Sequence, residues 1–152
     1  MDILITSNVA EEDLPEILSL ARKVSESDVF PTLSKAGQNA LKYSQVKDTA
    51  DIVHNEIYQA LKVKAGGKLV AYVAWRNGYY LAQLFVDSAY QGKGIGTRLV
   101  NEVVKLAKGP RLEVRASINA VGFYKKYGFI PTGEESEINN IKFVPMEYKI
   151  RT

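Results

Sequence analysis

Cysteine is absent from the 152 residues, which excludes disulfide frameworks and thiolate catalysis alike. Histidine is nearly absent: His54 stands alone, so zinc sites assembled from His and Cys are excluded too. No EF-hand spacing of carboxylates occurs, and no metal is expected. The longest apolar run, Leu69 to Trp75, is seven residues, whereas a membrane-spanning helix needs about 20, so no span and no membrane partner are expected. Residues 1–7 lack a basic leader and are followed at once by Glu11-Glu12-Asp13, so the start does not read as a secretory signal, and a cytoplasmic address is the default expectation. With 46% apolar and 24% charged residues, a chain of this length suits one domain around one core.

The net charge of +3 is unevenly spread. Residues 91–126 hold eight cations, among them Lys93, Arg98 and Arg115, against only Glu102 and Glu113, while residues 1–60 hold ten acids against five bases. A cationic segment suits an anionic ligand, a nucleic-acid face or a solvated surface. Nucleic-acid readers interleave basic residues with exposed aromatics, yet Lys105 and Lys108 lie on a helix flank and the aromatics of 123–129 suit a core, so no nucleic-acid partner is expected.

Periodicity predicts a strand at 2–6 and, behind the acidic cap, a helix in which Leu14, Ile17, Leu18, Ala21 and Val24 recur at helical spacing. The pattern breaks at 25–33 around Pro31. A weaker helical stretch spans 34–44, and 45–58 reads as a short helix containing His54. Strand-like runs at 58–65, 68–76 and 79–86 are separated by Gly66-Gly67 and Asn77-Gly78, both hairpin dipeptides. A glycine-rich loop then leads into a helix carrying Leu99, Val100, Val103, Val104 and Ala107, which stops at Gly109-Pro110. A strand at 111–116 follows, then a short helix with Asn119 as a possible N-cap, and strands at 129–133 and 141–148 around a polar acidic turn. The expected fold is therefore α+β, one domain spanning 1–152, with a mixed, mostly antiparallel sheet of about seven strands flanked by about four helices.

The loop Gln91-Gly92-Lys93-Gly94-Ile95-Gly96-Thr97 sits between a strand and a helix start. Glycines let several N–H groups turn toward one point, and the helix N-terminus adds partial positive charge, so phosphate binding is its natural use, with a plain tight turn as the alternative. It fits neither the dinucleotide fingerprint nor the Walker A loop. It does resemble the acetyl-CoA motif of the GNAT N-acetyltransferases, Gln/Arg-x-x-Gly-x-Gly/Ala after a strand, here Leu84-Phe85-Val86, four residues, then Gln91 to Gly96. A second feature of that family, an Asn followed by Tyr and Gly-Phe, is present as Asn119, Tyr124 and Gly128-Phe129, and the order of elements resembles the family's over nearly the whole chain.

The resemblance implies a coenzyme A pyrophosphate on the backbone of Gln91, Gly92, Lys93, Gly94, Ile95, Gly96 and Thr97, and a pantetheine arm along Leu84, Phe85 and Val86 where two parallel strands splay. It implies that Asn119 contacts the cofactor or orders its turn, that the Val86 N–H faces the thioester carbonyl, and that Tyr124 stands near the sulfur as the acid for the departing thiolate. The chain departs from some family members in having no carboxylate at Tyr79-Tyr80-Leu81-Ala82-Gln83, which leaves Tyr80, His54 or water as the base for the acceptor amine. The reading is an acetyl-CoA-dependent N-acetyltransferase acting by direct attack on a primary amine of a small molecule or peptide, as monomer or homodimer; the alternative is a coenzyme A-binding sensor with weak catalysis. The acidic first sixty residues suggest a cationic acceptor such as a polyamine, a lysine-like amine or a peptide N-terminus.

Overall fold

Two tight turns set the centre of the sheet. Gly66, Gly67, Asn77 and Gly78 all take left-handed backbone, with φ between 56° and 83°; Gly66-Gly67 closes a two-residue hairpin, and Asn77-Gly78 with Tyr79 a three-residue one. They link β2 (Tyr58–Ala65), β3 (Lys68–Arg76) and β4 (Tyr80–Val86), which run antiparallel. This computed structural model describes residues 4–150. β1 (Leu4–Asn8) pairs β2; Asp2 and Ile3 of the expected first strand lie outside the described residues. The glycine loop leads into α3 (Ile95–Leu106), which returns the chain to β5 (Arg111–Ser117), parallel to β4. α4 (Val121–Tyr127) then precedes β6 (Ile130–Pro131), β7 (Ser136–Ile138) and β8 (Ile141–Lys149). The sheet order is β1-β2-β3-β4-β5-β8-β6, with β7 also on β8. There are eight strands where about seven were expected, because the acidic turn after β6 carries the short strand β7.

Both faces of the sheet are covered. One carries Val63, Val73, Trp75, Leu81, Leu112, Val114 and Met146 against Leu99, Val100 and Val103 of α3 and Tyr124 of α4. The other carries Leu69, Tyr72 and Ala74 against Ile17, Leu20 and Ala21 of α1 (Leu14–Val24) and Ile52 of α2 (Lys35–His54). β3 is buried on both sides, which is why its seven-residue apolar run does not alternate. Among the described residues no helix is long and apolar enough to cross a membrane.

α1 ends at Val24, where the helical pattern breaks, and the chain continues as a π-turn over Ser25–Val29 and a tighter turn over Phe30–Thr32, with Pro31 in its first turn, before becoming extended at Leu33. One expectation for the first half needs correction. The two weak helical stretches are one helix of 20 residues, α2, capped by Ser34, whose Oγ accepts the Gly37 N–H at 3.1 Å. Its buried side holds Gly37, Gln45 and Thr49 beside Ile52, so no apolar period marks it. Gln45 supplies the attachment by hydrogen bonds, accepting from Arg22 Nε at 3.0 Å and donating to Ser25 Oγ at 2.8 Å.

Gly37 lets α2 touch the β7–β8 turn: a Cβ there would overlap the Asn140 carbonyl oxygen. Gly→Ala inside a helix normally gains about 1 kcal/mol. Here Gly37→Ala is expected to lose about 1–3 kcal/mol, the usual cost of overpacking, and to lower the thermal midpoint in a calorimetric scan.

Candidate active site

β4 is hydrogen-bonded to β3 along its whole length, from Arg76↔Tyr80 to Ala71↔Val86. β5 is bonded equally to β8 over seven residue pairs. Between these two ladders only Tyr80↔Glu113 and Leu81↔Val114 are joined. Beyond Leu81 the parallel strands separate. The register of β4 shifts at that point, with Ala74 opposite Gln83 and Trp75 opposite Leu81, so Ala82 is an extra residue that bends the strand away. The Asp87 N–H donates to Val70 at 2.8 Å. Backbone groups alternate along a strand, so the N–H groups of Leu84 and Val86 face the opposite, open edge.

A cleft of about 810 Å³ fills this opening. It is lined by Leu84, Phe85 and Val86 of β4, by Gln91, Gly92, Gly94, Ile95, Gly96 and Thr97 of the loop and α3, and by Asn119 and Tyr124. Of the residues singled out from sequence as cofactor contacts, only Lys93 does not line it; its ammonium lies 5.1 Å over the Tyr90 ring. Gly92 and Gly94 take φ of +78° and +80°, and a Cβ on either meets nothing within 4 Å. They form an open cradle rather than a packed turn. Gly96 has a different task, since its Cβ would meet the Phe123 ring at 3.1 Å; it lets α3 sit against α4. α3 begins without a side-chain cap or an acid in its first turn, which leaves its leading N–H groups and positive pole available. An anionic diphosphate fits this donor set. Asn119 is not the cap of α4, because the helix starts at Val121 after a 3-10 turn; its Oδ1 accepts from Ser117 Oγ at 2.9 Å at the cleft wall.

Two residues hold the loop, and one of them, Asp87, was not singled out from sequence. Asp87 is nearly fully buried at the end of β4, where its carboxylate accepts the Ala89 N–H at 3.0 Å and Lys23 Nζ at 3.1 Å, with Lys68 Nζ at 4.0 Å. The Ala89 N–H holds this carboxyl below the ordinary Asp value; burial opposes it, and Lys23 and Lys68 add to the lowering. Gln91 donates through Nε2 to the Val86 carbonyl at 3.0 Å and to Asp28 at 3.1 Å, tying loop to strand. An Asp one residue past a strand has no sequence signature, and its burial depends on lysines 64 and 19 residues away.

Tyr124 is buried between Phe123 and Phe129, with centroids 5.2 and 5.1 Å away, both edge-on. Burial pushes its phenol well above the ordinary value, and the neighbouring Tyr80 adds to the shift. It is therefore a protonated group at the cleft wall. Tyr80 lines a second cavity of about 420 Å³, which shares no lining residue with the cleft, with Arg76, Arg111, Glu113, Arg115 and Glu147. Burial also raises the Tyr80 phenol, while Arg115 and Arg76 pull it back. Strand β4 has no carboxylate here, but β5 supplies Glu113 in register beside Tyr80. His54, by contrast, ends α2, exposed, 3.7 Å from Glu11, and lines neither cavity. None of the acids of residues 1–60 lines the cavity at Tyr80. Several are committed elsewhere: Asp13 to Lys62 and the Ala10 N–H, and Asp51 to Lys47. Among the described residues no cluster of three or more His, Asp or Glu is placed to hold a metal.

Residues 26–150 match the family model described as the acetyltransferase (GNAT) domain. The chain is 42% identical over 66 residues to the peptidyl-lysine N-acetyltransferase YjaB of Salmonella typhimurium, a match covering 43% of this chain and 45% of the relative. It is 39% identical over 80 residues to the N-alpha-acetyltransferase RimI of Mycobacterium tuberculosis, covering 46% and 51%. The chain thus spans about half the length of these curated relatives. The fold is shared with the PaiA N-acetyltransferase of Thermoplasma acidophilum, solved in complex with coenzyme A: TM-score 0.76, 22% identity, 97% of this chain and 99% of that one.

The Asp87 cluster makes a pH prediction. A carboxyl depressed in the folded state contributes stability at pH values above its ordinary unfolded value and loses it as the pH falls through the folded one. Urea unfolding of the wild type should show stability falling below about pH 4, the range of an unperturbed Asp. Asp87→Asn should be less stable at pH 7 by about 1–3 kcal/mol, with a shallower acid limb. An unchanged acid limb in the variant would contradict the assignment.

Proposed function

The chain belongs to the GNAT acetyltransferase family, and from that membership we propose that it transfers an acetyl group from acetyl-CoA to a primary amine by direct attack within a ternary complex. The observation that carries this reading is the cleft itself, in which an open glycine cradle at a helix start continues into an unpaired strand edge and ends at a buried phenol. Names of relatives that acetylate peptidyl lysine or N-terminal amines support an amine acceptor.

Bound acetyl-CoA would supply an activated thioester; the remaining chemistry falls to the chain. The N–H groups from Gln91 to Thr97, with the positive end of α3, would hold the diphosphate. Leu84, Phe85 and Val86 would extend the sheet along the pantetheine arm, the Leu84 N–H toward the arm and the Val86 N–H toward the negative charge that develops on the acetyl oxygen. Tyr124, kept protonated by burial, would give its proton to the departing thiolate. An alkyl ammonium, with an ordinary pKa of about 10.4, must lose a proton before it attacks. With His54 distant and the Tyr80 phenol raised, we assign that step to water ordered between Tyr80 and Glu113.

Tyr124→Phe removes the proton donor and leaves the ring. The expected outcome is a fall in kcat of about 10²-fold or more, with the calorimetric affinity for acetyl-CoA within a few-fold of wild type. An unchanged kcat together with a lowered thermal midpoint would make the ring a packing element and remove the proposed proton path.

A further inference from the structure

The cavity at Tyr80 carries an imbalance of charge. Three guanidiniums and two carboxylates line it. Arg111 lies 3.5 Å from Glu113 and 3.8 Å from Glu147, so those charges answer one another. Among the described residues no carboxylate forms an ion pair with Arg76 or Arg115. Arg76 stacks at 4.5 Å on the Tyr80 ring, and its Nε is buried without a hydrogen-bond partner. Arg115 lies 5.2 Å over the Phe143 ring. Arg76, Arg115 and Tyr80 line the same cavity, and the two arginine charges oppose the upward shift that burial gives the Tyr80 phenol; Tyr80 in turn bears on Tyr124, which lines the cleft. Asp48 of α2 feels Arg76 only from beyond ion-pair distance.

A buried guanidinium nitrogen without an acceptor is costly to maintain unless a ligand completes it, and the planar fork of arginine matches a carboxylate. We propose that this cavity is the acceptor site and that Arg76 and Arg115 select a primary amine that also carries a carboxylate. This rests on the acetyl-transfer reading above. The amine lies at Tyr80 and Glu113, the pair next to the point where β4 and β5 separate, while the carboxylate lies on the two guanidiniums. At about 420 Å³ the cavity admits a free amino acid or the end of a peptide with an acidic group beside its amine. The preference is the reverse of the one that the acidic first sixty residues suggest, because those acids line other surfaces.

The test measures kcat/KM of the full chain for paired acceptors: free amino acids against their carboxamides, and lysine peptides with Glu beside the lysine against the same peptides with Gln. The acid member of one pair is expected to be preferred by about 10–100-fold, the range of charge-assisted hydrogen bonds, and the pair that responds identifies the source of the carboxylate. In Arg115→Gln, an exposed position where folding is not at stake, this ratio should fall toward one. The Nε–H resonances of Arg76 and Arg115 should also move on titration with the N-acetylated acid and not with its amide. Equal rates for acids and amides in both series, or a ratio unchanged in Arg115→Gln, would overturn the proposal while leaving acetyl transfer standing. Absence of turnover with every amine, with acetyl-CoA bound, would overturn both.

Discussion

Everything at the site depends on how little β4 and β5 share. Each strand is fully committed to another neighbour, β4 to β3 and β5 to β8, and the two ladders meet at only two residue pairs. A parallel pair that closed along its length would pair the Leu84 and Val86 N–H groups and fill the space now occupied by the cleft. The extra residue at Ala82 is the local device that keeps it open. In a continuous sheet an unpaired edge invites association with other chains. Here the edge is sunk between α1, α3 and α4, so only a narrow extended ligand reaches it.

The loop beside this edge is held by charge and by the absence of side chains. Asp87, buried with Lys23 and Lys68 around it, fixes the turn before the loop from the α1 side, and Gln91 pins the loop back to Val86. Gly92 and Gly94 adopt backbone that other residues resist, with nothing packed against their Cα atoms. Such an arrangement contributes little to a core and leaves converging N–H groups for an anion. At the other end of the cleft two phenols stand close together, both shifted upward by burial, between the cofactor cleft and the arginine-lined cavity. In the proposed reaction Tyr124 is the proton donor to the departing thiolate, and β4 supplies no side-chain carboxylate as base.

Legibility in the sequence followed the strength of local signals. The two hairpin dipeptides and the alternating runs around them put β2, β3 and β4 within one residue of their observed ends, and the glycine loop with its helix was equally plain. α2 gives only two weak helical signals in the sequence because its buried side holds Gly37, Gln45 and Thr49, which attach it by hydrogen bonds and close approach rather than by an apolar stripe. β7 escaped notice because Ser136, Glu137 and Ile138 are all exposed. Asn119 looked like a helix cap, but a 3-10 turn moves the start of α4 past it and leaves its side chain at the cleft. At the site, the stretches that a motif marks were found, whereas Glu113, Asp87, Arg76 and Arg115 were not. Their placement comes from strand register and from partners far along the chain, which no local spacing encodes.

In the proposed function, the open edge of β4 and the start of α3 together bind one extended thioester cofactor. Backbone amide resonances recorded while coenzyme A is added test it most directly. Saturable shifts are expected, largest at Leu84 and Val86 and from Gly92 to Thr97, with Asn119 and Tyr124 following and His54 unmoved. Saturable binding with shifts centred on Arg76, Arg111 and Arg115 and none at the glycine loop, or no binding at all, would contradict it.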